Sequence, residues 1–399
     1  MIDPAPNSRL ENRAVSPPRR FTPSTLRSRL GIAIAVTAMA GVLWLGARLA
    51  ARHPQFLLGF NPEQDTVNGQ PSPVKWQGST VTWEMNCSVG SNVQVSAGSG
   101  CLIESPIKSA FEAWNTTPLS PGGPVITNLT INEGPQTALT DPDAGTSGID
   151  CVNIVSFMAS SAIRFPTGAI AFTTLATVFG SPPTHYPCTS NGTTTTKTCN
   201  QPACIADADI MFNPSTEFSS VRPTPVSAYD IQSVATHEVG HLLGLDHSGI
   251  AHSVMYPFGD VGVGQQRSLS TDDILGIGFL YPGASFATAT GALEGTVQLN
   301  GAGVFGAHVV AIDSATGNVV VDGLTDMQGN YTLDVPAPAN YQVLAVPLAG
   351  PYSLTNFGGW ACGYAAQENS PPCCDPKADP TCTGKALQNP TNFTGTYLH

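Results

Sequence analysis

Charged residues are scarce in this 399-residue chain, at 11% of the total, against roughly 25% in an average soluble domain. Basic residues are the scarcer sign, since 16 Lys and Arg stand against 28 Asp and Glu, for a net charge of −12. Such a chain offers no basic footprint for nucleic acid, so we expect no nucleic-acid partner. Hydrophobic residues make up 41%, which excludes wholesale disorder. The abundant glycine (40) and proline (34) predict many turns and short strands.

Cysteine is absent before Cys87, after which ten occur: six between Cys87 and Cys204, and four from Cys362 to Cys382. Both groups are even in number, which is typical of closed disulfide sets in an oxidising compartment. Cys199 and Cys204 have no second pair at zinc-ribbon spacing, so disulfides are favoured over cysteine–metal ligation. The sequence alone does not assign the pairing.

The N-terminal segment carries several arginines followed by an apolar run at 30–47. Basic residues before an apolar stretch are typical of an export signal or a signal-anchor helix. The run is slightly short for a spanning helix and slightly long for a cleaved signal, so its removal stays open. We expect residues 1–52 to direct a secreted or membrane-anchored protein whose folded part lies outside the cell. A linker at 53–72 follows, and any membrane contact would come through this helix.

Three amphipathic helices are expected in the middle of the chain. Ser105 would cap the first, with Pro106 at its first helical position. The second would begin near Ser227, which has capping-box spacing to Asp230, and the third would be capped by Ser270 and Asp273 in the same way. The polar stretch "CTSNGTTTTKTCN", 188–200, is expected to be a loop closed at its base by cysteines.

The stretch "HEVGHLLGLDH" holds the chemistry of the chain. His237 and His241 are four residues apart, so on a helix they share one face and can reach one metal ion, with Glu238 beside them. Gly244 allows the chain to leave the helix in a left-handed conformation, which returns His247 as a third ligand. Three histidines leave one tetrahedral position for water, which is typical of a catalytic zinc site.

An ordinary solvated helix face would explain a lone HExxH, with the glutamate in a salt bridge. It does not explain Gly244 and His247 at fixed offsets, nor Met255 shortly afterwards. This arrangement, HExxHxxGxxH followed by a Met-turn, is the metzincin signature.

"HEVGHLLGLDHS…SVMYP" resembles the matrixins, the metzincin branch that contains the matrix metalloproteinases. Ser248, directly after the third histidine, is the matrixin variant. "VKWQGSTVTW", "SAFEAW", "DADIMFN" and "LSTDDILGIGFLY" resemble, in the right order, the first strand, first helix, a late strand and the last helix of that fold. The resemblance implies a zincin-like α+β catalytic domain at 73–283, with a mixed sheet and three helices.

The resemblance further implies a zinc-dependent endopeptidase that acts on protein or peptide substrates. One catalytic zinc would be held by His237, His241 and His247. Glu238 would be the general base and the later proton donor to the leaving amine. Met255 would form the apolar floor beneath the metal, and Gly244 would support the turn.

Substrate contacts are also implied by the resemblance. The segment from Ala169 to Ala176 would be the edge strand that a peptide joins by strand addition, through Ala169, Ile170, Ala171 and Phe172. Tyr256 and Pro257 would wall the pocket for the side chain after the scissile bond.

The sequence departs from the family in two respects. No cysteine precedes Cys87, so we expect no cysteine-switch latency. His185 is the only histidine between His53 and His237, so we expect no second, structural zinc site. Calcium binding stays open, since aspartates occur in or near loops, at 141, 143, 207 and 209.

The C-terminal part, 284–350, resembles the carboxypeptidase regulatory-like β-sandwich in "GAHVVAIDSATG" and "LTDMQGNY", and a Cys- and Pro-rich tail follows at 351–399. We expect His308 to be structural, and deletion of residues 285–399 to leave peptide cleavage largely intact. The alternative function is a non-catalytic extracellular binding or adhesion protein that retains a zinc-stabilised metzincin fold. Glu238 argues against it, because such a protein needs no base beside the ligands. Neither the substrate nor the oligomeric state follows from the sequence.

Overall fold

The computed structural model describes residues 62–347, apart from short gaps at 68–69, 97, 99, 143–148, 166–167, 191 and 327, and also residues 396–398. All of these belong to one compact unit, Ile34–His399. The predicted export segment, the first part of the linker and the cysteines of the tail lie outside the described residues. Across the described part, no helix combines the length and apolar character needed to cross a membrane.

The elements before residue 283 combine short strands with three helices. The strands are β1 (Gln64–Val67), β2 (Gln70–Pro73), β3 (Lys75–Trp76), β4 (Thr80–Met85), β5 (Val93–Gln94), β6 (Thr130–Gln136), β7 (Asn153–Ser156), β8 (Ala171–Phe179), β9 (Thr184–Ser190), β10 (Thr193–Cys199), β11 (Ala203–Phe212), β12 (Phe218–Ser219) and β13 (Tyr229–Asp230). The helices are α1 (Glu104–Thr116), α2 (Ile231–Leu242) and α3 (Thr271–Leu280), with a 3-10 turn at Gln265–Arg267.

A six-stranded mixed sheet organises this part of the molecule. Its strands pair in the order β3–β11–β7–β4–β6, all parallel, and β8 lies antiparallel along the other side of β11. β11 is buried along its whole length, as expected for a strand covered on both faces. Among the described strands β8 pairs only with β11, so its other side forms an open edge of the sheet.

Helix α1 buries the apolar face that its sequence predicts. The residues of this face are at most 3% exposed: Ile107, Ala110, Phe111 and Trp114. The indole Nε1 of Trp114 donates to the Thr236 carbonyl oxygen at 2.8 Å, which ties α1 to α2. The predicted cap was wrong, because the helix begins at Glu104 with no side-chain cap. Ser105 and Pro106 therefore lie in its first turn. Backbone N–H groups of the first turn have no hydrogen-bond partner within the helix, so a proline there removes no helical hydrogen bond.

The segment between Cys188 and Cys199 is a hairpin, so the loop prediction was wrong. β9 and β10 pair antiparallel, from Ser190 opposite Thr193 to Thr184 opposite Cys199. The two cysteines do not bond to each other. The disulfides are Cys87–Cys101, Cys151–Cys188 and Cys199–Cys204. All six cysteines of the first group are thus closed in pairs, as predicted.

Residues 284–347 and 396–398 form a short helix and small antiparallel sheets. The elements are α4 (Phe286–Ala289), β14 (Thr290–Thr296), β15 (Gln298–Leu299), β16 (Ala302–Gly303), β17 (His308–Asp313), β18 (Val319–Leu324), β19 (Asn330–Pro336), β20 (Tyr341–Val346) and β21 (Thr396–Leu398). β14 pairs with β19, and a four-stranded sheet has the order β18–β17–β20–β21. The strand content agrees with the predicted all-β character, whereas the regulatory-like sandwich stays a prediction. Val309 and Val321 belong to the same buried apolar cluster as Val239 of α2, so one core joins the two parts.

Candidate metal centre

Helix α2 carries two of the candidate ligands, and Asp230 sets its start. The Asp230 carboxylate accepts a hydrogen bond from the Ser233 backbone N at 2.9 Å, as an N-cap. The predicted capping box of Ser227 and Asp230 was wrong, because Tyr229 and Asp230 are extended and pair with β12. The helix starts only at Ile231, yet it spans both histidines and the glutamate of the motif.

Three histidine side chains converge at one point. His237 and His241 project from α2 and His247 from the following loop, and one ring nitrogen from each lies within 4.8 Å of the others. The Nε2 atoms of His237 and His241 are 3.1 Å apart. Within the residues that the structure describes, this is the one group of three or more His, Cys, Asp or Glu side chains with ligand atoms so close together.

Backbone carbonyls fix the orientation of two of these rings. The Nδ1 of His237 donates to the Val254 oxygen at 2.7 Å, and the Nδ1 of His241 donates to the Leu245 oxygen at 2.8 Å. A carbonyl only accepts, so the proton lies on Nδ1 and the Nε2 lone pair stays available. This is the tautomer that outer-shell partners select in histidine metal sites.

The electrostatics of the site favour neutral rings. Burial, reinforced by neighbouring imidazoles, lowers the pKa of His237 to about 3 and holds the pKa of His241 well below its ordinary value. Both rings are therefore neutral near pH 7, which is the form that binds metals. Three histidine side chains that offer one ring nitrogen each match the ligand set of a catalytic zinc site. The residues present thus fit one zinc ion.

Gly244 turns the chain from α2 towards the third histidine. Its φ is +96°, in the left-handed region that glycine adopts without steric cost. A Cβ at this position would lie 2.3 Å from the Val74 carbonyl oxygen, so no side chain fits. The turn therefore requires glycine for its conformation and also for its close packing.

Met255 lies against the helix that bears the ligands and is 2% exposed. A Cβ on Gly240 would lie 2.1 Å from the Met255 sulfur and 2.9 Å from the Trp114 ring. Gly240, which the sequence analysis did not single out, thus permits this contact, and its position inside the motif was the only sequence signal for it.

Glu238 is 4% exposed, and a residue of the neighbouring sheet hydrogen-bonds to its side chain. Its Oε2 accepts a hydrogen bond from the Thr173 hydroxyl on β8 at 2.8 Å. Burial raises the pKa of Glu238 to about 7, although the Thr173 hydrogen bond lowers it. The carboxylate is therefore tuned for proton transfer near neutral pH. Sequence reasoning missed Thr173, since nothing in a strand sequence shows which helix it faces.

The histidines and Glu238 lie on a cleft of about 510 Å³. All six predicted substrate-binding residues line this cleft: Ala169, Ile170, Ala171, Phe172, Tyr256 and Pro257. Ala171 and Phe172 begin β8, Ala169 and Ile170 directly precede it, and Tyr256 and Pro257 lie in the loop after Met255. The structure thus brings these two segments into one lining with the candidate ligands.

Glu63 is a further lining residue that no motif in the sequence indicates. Its backbone N donates to the Gly244 oxygen at 2.8 Å, and its Oε1 lies 3.9 Å from the His241 Nδ1. Burial, with a smaller contribution from Asp246, raises the pKa of Glu63 well above its ordinary value. The chain before β1 therefore packs against the turn that follows α2.

Two of the four aspartates considered for calcium are placed differently from expectation. Asp207 and Asp209 lie inside β11, and the Asp209 carboxylate accepts from the Ile154 backbone N at 2.9 Å. Asp141 accepts from the Ser160 N at 2.6 Å. Asp143 lies outside the described residues.

Comparison with protein families gives a match to the matrixin peptidase model over residues 184–282. The matched residues include the three histidines and Glu238, and they end before the predicted sandwich. The match supports a matrix-metalloproteinase-like, zincin-type α+β catalytic domain.

Curated relatives point the same way. Metalloendoproteinase 2-MMP of Arabidopsis thaliana is 48% identical over 56 residues, 14% of each chain. Metalloendoproteinase 1 of Glycine max is 44% identical over 79 residues, 20% of this chain and 25% of that protein. Karilysin of Tannerella forsythia is 31% identical over 133 residues, 30% of this chain and 26% of that protein. The chain spans at most about a quarter of the length of these relatives. The matches support a metalloprotease domain within this chain.

Proposed function

We propose that the chain is an exported zinc-dependent endopeptidase. The observation that carries the proposal is the convergence of three histidine side chains beside the buried Glu238, in a cleft bordered by an open strand edge. The matrixin match over 184–282 and the metalloendoproteinase relatives support the same reaction class.

The proposed ligands are His237, His241 and His247, and they would hold one zinc ion. Zinc supplies Lewis acidity, which polarises the scissile carbonyl and lowers the pKa of a nearby water. Glu238 takes the proton from the attacking water and returns it to the leaving amine. Thr173 keeps the Glu238 carboxylate in place through its hydrogen bond at 2.8 Å.

The cleft supports a peptide substrate. A peptide in extended conformation adds to the free side of β8, where main-chain hydrogen bonds bind it with little regard to sequence. Ala169, Ile170, Ala171 and Phe172 are the proposed contacts along this edge. Tyr256 and Pro257 wall the space for the side chain that follows the scissile bond.

Export is supported by the chemistry of the cysteines. Three disulfides close every cysteine in the described part of the chain. Disulfides of this kind persist in oxidising compartments. We therefore place the working enzyme outside the cytoplasm, with export assigned to residues 1–52.

The test is the Glu238→Ala variant of the protein, purified from the medium or periplasm of an expressing cell. We expect about one zinc per chain by elemental analysis in both wild type and variant. Casein cleavage should fall by roughly 10²- to 10⁴-fold, because general base catalysis contributes an effect of that size. Glu294→Ala, which alters an exposed carboxylate on β14, is the matched control and should cleave normally.

Two results would contradict the proposal. A zinc-loaded Glu238→Ala protein that cleaves at the wild-type rate would show that Glu238 is not the base. A wild-type protein that binds zinc but cleaves no protein or peptide would favour the binding or adhesion alternative.

A further inference from the structure

A second buried polar cluster lies where the C-terminal sheet meets the loop that carries the third histidine. We call it the junction cluster. Its members are Ser248, Gly249, Asp272, His308 and Asp322. Ser248 and Asp272 are 2% exposed and Asp322 is 1% exposed, so the polar groups of this cluster depend on one another for partners.

The Asp322 carboxylate is the centre of the cluster. One oxygen accepts from the Ser248 hydroxyl at 3.2 Å, and the other accepts from the Gly249 backbone N at 2.9 Å. The His308 Nε2 lies 2.5 Å from that second oxygen. Asp322 and His308 belong to the neighbouring strands β18 and β17, so the sheet presents them as a pair.

Asp272 of α3 lies on the other side of Asp322. The Asp322 backbone N donates to an Asp272 carboxylate oxygen at 3.1 Å. Burial, together with the nearby Asp322 and Asp273 carboxylates, raises the pKa of Asp272 well above its ordinary value. A raised pKa favours the protonated form of Asp272, so that two negative charges are not buried next to each other.

Gly249 is required for this approach. A Cβ at position 249 would lie 2.3 Å from the Asp322 carboxylate and 2.6 Å from the His308 Nε2. The loop backbone therefore packs directly on the two side chains of the sheet, with no space for a side chain between them.

The junction cluster is connected to the metal centre through the backbone. Ser248 directly follows His247, and its backbone N donates to the Met255 oxygen at 2.8 Å. The preceding Val254 oxygen accepts from the His237 Nδ1. A displacement at Ser248 and Gly249 would thus move one ligand and disturb the carbonyl that orients another.

We propose that Asp322 and His308 are positioning residues of the metal centre, which hold the Ser248–Gly249 backbone so that His247 stays at its ligand position. The inference rests on the proposed zinc endopeptidase function and extends it. It makes the C-terminal sheet part of the catalytic unit, which is the opposite of the expectation drawn from the sequence that residues 285–399 are dispensable for peptide cleavage.

The test compares Asp322→Asn and Gly249→Ala with Asp326→Asn in the full-length protein. Asp326 is a matched control, since it is 4% exposed, lies in the same sheet region and accepts from the backbone N atoms of Gln328 and Asn330. It has no hydrogen bond to the loop. Asn at 322 keeps the size of the side chain but places an amide donor against a donor of the loop.

Three readouts separate positioning from plain destabilisation. The first is the rate at which a chelator removes zinc, the second the visible spectrum of the cobalt-substituted protein, and the third the hydrogen exchange of amides 248–255 without metal. We expect Asp322→Asn and Gly249→Ala to release zinc about 10- to 100-fold faster, to alter the cobalt spectrum and to exchange faster in the loop. Asp326→Asn should match wild type in all three at 25 °C, even if its thermal midpoint falls.

Wild-type zinc release and loop exchange in both junction variants would overturn the inference while leaving the proposed function intact. The same holds if Asp326→Asn changes the three readouts as much as Asp322→Asn does. A wild-type protein that binds no zinc would overturn the proposed function and the positioning role together.

Discussion

His237 and His241 lie on consecutive turns of α2, whereas His247 lies in a loop, 247–255, without helix or strand. The spacing of the helix-borne pair follows from its own element, and the carbonyls of Leu245 and Val254 orient the two rings. The loop-borne candidate ligand depends on side chains that follow it by many residues. Because Val254 lies in the same loop, the loop also orients His237, so substitutions on the loop side should disturb more of the site than substitutions on the helix side.

The loop side is anchored by Asp273 of α3. Its carboxylate accepts from the Ser253 hydroxyl at 2.5 Å, the Val254 N at 2.8 Å and the Met255 N at 3.1 Å, all in the loop. Because Asp273 is 2% exposed, its loss leaves buried donors without partners. The loop side thus has one anchor from α3 and, by our inference, a second from the C-terminal sheet.

The largest effect should come from Asp273→Ala. We expect the free energy of unfolding to fall by about 3 kcal/mol or more, since several buried hydrogen bonds are lost together. Urea unfolding of the zinc-free protein at pH 7 measures it. Asp313→Ala is the control, because its exposed carboxylate serves only its own turn, and it should cost far less. Equal losses would mean that the loop is not held by α3.

A smaller effect should come from Gly244→Ala, at the link between the two sides. The left-handed conformation costs about 1 kcal/mol with alanine, and the close Val74 oxygen should add about 1 kcal/mol. Gly78→Ala is the matched control, because its φ is +91° but its Cβ would meet nothing within 4 Å. The difference between the two denaturation midpoints isolates the contact. Identical midpoints would remove the steric argument for Gly244.

The smallest effect should come from Asp230→Asn, on the helix side. Burial alone would raise the pKa of Asp230, but hydrogen bonds from Arg267 and Ser233 outweigh it and leave the pKa below its ordinary value. A depressed folded-state pKa means that the ionised carboxylate stabilises the fold above the unfolded pKa, about 3.9, and that this contribution is lost as the pH falls further.

Asn retains an N-cap side chain but loses the ion pair with Arg267. We therefore expect Asp230→Asn to lower the free energy of unfolding by about 1 kcal/mol at pH 7. The difference from wild type should shrink as the pH falls below about 4. Parallel urea titrations from pH 7 to pH 3 test this expectation. A difference that stays constant over this range would show that the charge of Asp230 plays no part.

The local half of the site was predictable because its spacing is a property of one helix. The positions of His237, Glu238 and His241, and the glycine turn, follow from the helical period and from backbone sterics. Thr173, Glu63 and Asp322 were not predictable, since each reaches the site through the packing of a separate segment. A single sequence does not show which distant segments pack against each other.

Two local errors have physical reasons as well. The second helix starts later than Ser227 because β12 and β5 hold the preceding residues extended in a small parallel sheet. The polar stretch after Cys188 forms a hairpin rather than the predicted loop, because its threonines favour strands and Asn191-Gly192 is a hairpin turn sequence.

The Cys151–Cys188 bond joins two cysteines 37 positions apart and encloses the whole of β8. The strand proposed to receive the substrate therefore lies within a covalent loop, in addition to its pairing with β11. Among the disulfides of the described residues, none encloses α2. An oxidising compartment thus preserves a covalent loop around the proposed substrate strand and leaves the helix of the candidate ligands to its hydrogen bonds.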